Sequence, residues 1–94
     1  IMGTTKDYID YVLENISGHS CSARKMFGEY LVYVEEKPVF LVCDNTVFFK
    51  KNKKTESLFS SLPCGFPYEG AKEHFIADIE NGELTEQIIS AFLN

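Results

Sequence analysis

The sequence predicts an α+β fold of order α-β-β-β-α-β-β-α: a mainly antiparallel five-stranded sheet with packed helices. Three observations lead there. Apolar residues recur at helical spacing near both ends, with Ile9, Val12, Leu13 and Ile16 at one and Leu84, Ile88, Ile89 and Phe92 at the other. Between them lie short runs rich in Val, Phe and Tyr, each bounded by turn-forming residues. The links between consecutive runs are too short for crossover helices, so neighbouring strands pair antiparallel. A length of 94 residues places all of this in one domain, 1–94, with Ile1-Met2-Gly3 set aside as a start or a leftover.

Each element has a local reason. Thr4 and Asp7 have capping-box spacing and Gly18 supplies a left-handed stop, which predicts a first helix over 5–17. Residues 26–34 are aromatic and β-branched and form the first strand, with Gly28 inside it as a bulge or a close backbone approach. Glu35-Glu36-Lys37-Pro38 is the turn into a second strand over 39–43. Asp44-Asn45 then makes a tight hairpin to a third strand over 46–50, because Asp and Asn tolerate positive φ. A short helix over 55–62, capped by Asn52 or Thr55, buries Leu58, Phe59 and Leu62, and Pro63, Gly65 and Pro67 end it. Residues 66–69 and 74–79 read as a second strand pair around Gly70-Ala71-Lys72. Asn81-Gly82 breaks the last strand before the closing helix.

Composition excludes several functions. A net charge of -5 opposes attraction to phosphate, and the imbalance is concentrated in residues 55–94, where Lys72 faces seven acids. No direct DNA binding is expected. No apolar run approaches the ~18 residues of a membrane span, and no basic segment followed by an apolar one opens the sequence. Cys21, Cys43 and Cys64 are odd in number and widely spaced, which reads as free thiols in a reducing cytoplasm.

Chemistry-bearing residue types are present without a constellation. Lys50, Lys51, Lys53 and Lys54 beside Phe48 and Phe49 are a candidate interaction site, since cations with stacking aromatics suit a single-stranded nucleic acid. A solvated lysine run that keeps a hydrophobic hairpin soluble explains them better. His19 and Cys21 lack the second ligand pair that structural zinc requires, so no metal and no cofactor are expected. Cys21 or Cys64 beside His74, oriented by Asp78, would make a nucleophile, but nothing in the spacing favours it and no catalytic residue is assigned.

The stretch Arg24-Lys25-Met26-Phe27-Gly28-Glu29-Tyr30-Leu31-Val32-Tyr33 resembles the R-[RK]-M-F-G-x-[YF]-x-x-Y opening of the TfoX/Sxy N-terminal domain family, the bacterial competence regulators. The run from Val39 to Lys50 resembles that family's hairpin, Phe66-Pro67-Tyr68-Glu69 its P-F-x-Y strand, and residues 74–79 its last strand. Two departures stand out: full-length competence regulators carry a second, helical domain, and their usual Asp-Gly turn is here Glu36-Lys37-Pro38. The resemblance implies the same fold, close to a secretion chaperone-like arrangement. It makes Arg24, Lys25, Met26, Phe27, Gly28, Tyr30 and Tyr33 a mainly structural motif, with Phe27 expected to be buried. It also implies a non-enzymatic cytoplasmic interaction module that regulates transcription through a protein partner. The alternative is a small enzyme or ligand-binding domain using a thiol or His74 in a pocket beside the sheet.

Partner and strand pattern are linked. Both faces of each strand are apolar: Tyr30, Val32 and Val34 against Leu31 and Tyr33, then Phe40 and Val42 against Val39, Leu41 and Cys43, then Val47 and Phe49 against Phe48. If the helices cover one face, a protein partner or a second copy is expected on the other.

Overall fold

The computed structural model describes residues 3–16, 18–26 and 28–94. The elements are α1 (Lys6–Glu14), β1 (Cys21–Met26), β2 (Glu29–Val34), β3 (Lys37–Cys43), β4 (Thr46–Lys50), α2 (Lys53–Leu58), β5 (Cys64–Gly65), β6 (His74–Ile76) and α3 (Gly82–Leu93). Among the described residues they make an open sheet of order β1-β2-β3-β4-β6-β5 in which every neighbouring pair is antiparallel. The α+β class stands, and the strand count is six rather than five.

The additional strand comes from the motif. The predicted single strand over 26–34 is the end of β1, a turn and all of β2, because Gly28 at φ +81° reverses the chain instead of bulging it. Gly3, set aside as a leftover, packs on that turn: the Thr4 amide donates to the Gly28 carbonyl, and a Cβ at Gly3 would come within 2.8 Å of its oxygen. Phe27 lies outside the described residues, and so does Ser17, where the first helix was expected to end.

Smaller differences have local causes. Thr5, not Thr4, caps α1 by accepting from the Tyr8 amide. Thr4 is buried instead, its hydroxyl donating to the Val42 carbonyl and accepting from the Asn45 amide. A turn of Glu35 and Glu36 alone, at φ +49° and +69°, releases Lys37 and Pro38 into β3. Asp44 and Asn45 turn as expected, at φ +50° and +53°. In α2 a reciprocal Asn52–Thr55 capping box pulls the start back to Lys53, and Phe59 leaves helical geometry at φ −124°. The strand expected over 66–69 is absent. Pairing falls instead on Cys64 and Gly65, and 66–72 crosses irregularly, with Pro67 unable to donate to a ladder.

Register sorts the strands into two faces. Val32, Phe40, Val47 and Phe49 join Ile9, Val12, Phe59, Ile88 and Ile89 in one core cluster, so all three helices lie on that face. Phe49 is its centre, with ring centroids 5.4 Å from Phe59, 5.3 Å from Phe75 and 6.2 Å from Phe92. On the opposite face Leu31, Leu41 and Phe48 form a row across β2, β3 and β4.

Candidate interaction surface on the open face of the sheet

The open face is apolar because β2 and β3 place large side chains on both sides. Phe48 is buried there against the edge of the His74 ring and beside Gly65, where the segment after β5 crosses. Tyr68, at 50% exposure, borders the hollow that Leu31 and Leu41 line. Beyond Tyr68 the face is open. A groove of about 370 Å3 runs between Met26, Leu31, Leu41, Tyr68 and Lys50 and reaches down to Phe40 and Phe49 of the core. Met26 is 44% exposed and Phe66 64%, a high value for side chains of this size in a chain that buries Phe40 and Phe49 completely.

The motif divides between the faces. Arg24, Met26 and Tyr33 share the open side, with the Arg24 guanidinium 5.7 Å from the centre of the Tyr33 ring. Lys25 and Tyr30 pair on the helix-covered side, where Tyr30 packs against the core. Gly28 supplies the turn. The hairpin therefore sets out one side of the groove.

The lysines disperse. The Lys51 ammonium bonds Glu73 at 2.7 Å and lies over the Phe75 ring, and Lys54 donates to the Ala91 and Asn94 carbonyls at the C-terminal end of α3. Lys50 lies at the groove, and Lys53 is exposed in the first turn of α2. The cluster seen in sequence is thus not one patch in space.

The groups weighed for chemistry are likewise apart. Cys43 is buried on the open face, and burial, then the Glu29 carboxylate to which it hydrogen-bonds, then Asp44, push its thiol up to about 12. A thiol so poised is a packing group rather than a nucleophile. Cys64 pairs with Phe75 and His74 with Gly65, which puts the thiol and the imidazole on opposite faces. His74 Nδ1 donates to the Lys72 carbonyl at 2.8 Å. Asp78 is occupied with the Glu80 amide. Cys21 is half-buried with its sulfur toward the Leu13 carbonyl. Among the described residues no three His, Cys, Asp or Glu groups are arranged to hold a metal ion.

Two features had no sequence signal. Tyr68 as a cover follows from a strand that does not form. His19, weighed only as a metal ligand, instead bridges Glu86 at 2.9 Å and Glu35 at 3.3 Å, tying the loop before β1 to α3 and to the β2–β3 turn. The Glu86 hydrogen bond, foremost, raises its pKa against the opposing effect of burial.

Comparison with known proteins agrees with the resemblance carried by the motif. The family model described as TfoX N-terminal domain matches residues 16–86. The chain belongs to the TfoX N-terminal domain family. It is also similar to an uncharacterized 12.7 kDa protein in the trpE 5' region of Spirochaeta aurantia, 37% identical over 79 residues, which are 82% of this chain and 68% of that protein. No solved structure gives a significant match. In this TfoX N-terminal domain the family match begins in the last residues before the β1–β2 hairpin and runs into α3, so it takes in both sides of the groove. Among the described residues no helix is long and apolar enough to cross a membrane.

Proposed function

We propose that this TfoX N-terminal domain is a non-enzymatic interaction module, acting in transcription regulation through a protein that covers the open face of its sheet. One observation carries this reading: all three helices pack on one face, and the other keeps Met26, Leu31 and Leu41 around an open groove. Dispersal of the lysines supports a protein partner over nucleic acid. Family membership supports the regulatory setting.

The test is cross-linking capture with wild type and Tyr68→Asp, a half-exposed position outside the strands. A transcription regulator retained by wild type and lost with Tyr68→Asp, at unchanged melting temperature, is the expected result. An identical captured set for both proteins places the partner elsewhere.

A further inference from the structure

We propose that the free edge of β1 accepts an extended acidic peptide as an added antiparallel strand. The proposal rests on the reading of the domain as a protein-binding module, but it concerns the edge of the sheet rather than its open face.

β1 is terminal in the strand order, while the opposite edge, β5, is two residues long. Its six residues offer a full ladder, and Ser22, Arg24, Lys25 and Met26 are exposed. Backbone alternation shows which groups are open. The Ser20 carbonyl accepts from the Glu35 amide at 2.8 Å, which sets the phase of the β1–β2 ladder. Ser22, Arg24 and Met26 then bond to β2, and Cys21, Ala23 and Lys25 turn their N–H and C=O groups outward. None of the turn, cap or side-chain hydrogen bonds among the described residues uses those outward backbone groups. An edge of this kind takes main-chain bonds from an extended partner, and alternate side chains then choose which partner.

Charge makes that choice. Arg24 and Lys25 are the only charged residues of β1, in a chain of net charge -5, and as consecutive residues they point to opposite faces. A second copy is a poor occupant. Antiparallel pairing about Ala23 would set Arg24 against Ser22 and Lys25 against Cys21, gathering four cations in one ladder without a carboxylate. A strand with two consecutive acidic residues places one carboxylate beside Arg24 on the open face and the other beside Lys25 on the helix face. On the open face a shallow hollow of about 300 Å3, lined by Ser22, Arg24, Tyr33 and Glu36, adjoins the added strand and takes a flanking side chain.

The probe is fluorescein-Thr-Val-Glu-Glu-Val-Thr-amide, read by anisotropy against the same peptide with Lys-Lys in the centre. Ala23→Pro is the deciding variant, since a proline whose missing N–H faces outward costs the native ladder nothing and blocks an incoming strand. Saturable binding of the acidic peptide, weakened at least about tenfold by Ala23→Pro and by Lys25→Glu but not by Tyr68→Asp, is the expected result. Absence of binding, equal binding of the Lys-Lys peptide, or full affinity in a folded Ala23→Pro protein overturns the proposal. Loss with Tyr68→Asp and retention with Ala23→Pro also overturns it, moving the peptide to the open face and leaving the protein-binding reading intact. If Ala23→Pro fails to fold, Lys25→Glu decides: its side chain is exposed, and unchanged affinity overturns the edge assignment.

Discussion

His19 sits between two carboxylates from elements far apart in the chain, Glu35 sixteen residues on and Glu86 sixty-seven. Pairings at such separation leave no short-range pattern, which is why the sequence shows His19 only as one half of an incomplete ligand set. The bridge has a pH signature. Its folded pKa is raised above the ordinary 6.5, so the stabilisation is fully present below that value and is lost as pH rises through the folded pKa. Melting temperatures of wild type and Glu86→Gln should therefore differ most below pH 6.5 and converge as pH rises through the folded pKa, and a gap that widens with pH would contradict the bridge. The thiols separate by burial in the same way. Cys64 is exposed, Cys21 half-buried with its pKa raised by burial, and Cys43 buried at about 12. In native protein a thiol reagent at neutral pH should label Cys64 first and Cys43 only on unfolding, with all three reacting in unreduced denatured protein. Prompt labelling of Cys43 in the folded state would mean that the open face is less closed over it than its burial beside the Pro67–Glu69 segment implies.

Among the elements, the β3–β4 hairpin was the most legible, because Asp44-Asn45 is a turn signature at any depth in a fold and the runs on both sides of it are rich in Val and Phe. β1 was not legible. Cys21-Ser22-Ala23-Arg24-Lys25-Met26 carries no apolar face of its own, and its strand geometry is imposed by pairing with Tyr30 to Val34. The open face was legible in part: the sequence shows that each strand has two apolar faces, but which of them the helices leave bare is set by register and packing, and Tyr68 lies in a segment whose proline at 67 removes the expected strand. Packing at Phe49 joins four elements, since the rings of Phe59, Phe75 and Phe92 meet it from the end of α2, from β6 and from α3. Phe49→Ala should cost roughly 3–5 kcal/mol, the range for truncating a buried aromatic, while Asn52→Ala at the α2 cap should cost only about 1 kcal/mol. Denaturant midpoints with an unchanged slope measure both, and equal costs would mean that the ring cluster collapses around the missing side chain.

For the molecule as a whole, the distribution of helices decides what the sheet can do. Three helices on one face leave the opposite face to a single irregular crossing, and that crossing reaches only as far as Tyr68. Met26, Leu31 and Leu41 then meet water unless another chain covers them, and exposure of a contiguous apolar groove is the usual mark of an association surface. Under the proposed function, nucleic acid is not the expected cover. The net charge of -5 resists counterion release, and Lys51 and Lys54 already serve Glu73 and the end of α3. A duplex DNA mobility shift at physiological salt should show no complex, and a sub-micromolar one lost on replacing Lys50 and Lys53 would overturn that view. Association should instead be visible in the protein alone or with its partner. If a second copy is the cover, light scattering coupled to gel filtration should give a mass that rises from monomer to dimer with concentration. Tyr68→Asp should hold it at monomer, because the ring's apolar contact is lost and the desolvation of a carboxylate buried in that groove exceeds what Lys50 beside it returns. A mass that stays monomeric across the range assigns the face to a different protein. A dimer indifferent to Tyr68→Asp would show that the copies meet elsewhere, and the open face would lose its claim to be the interface.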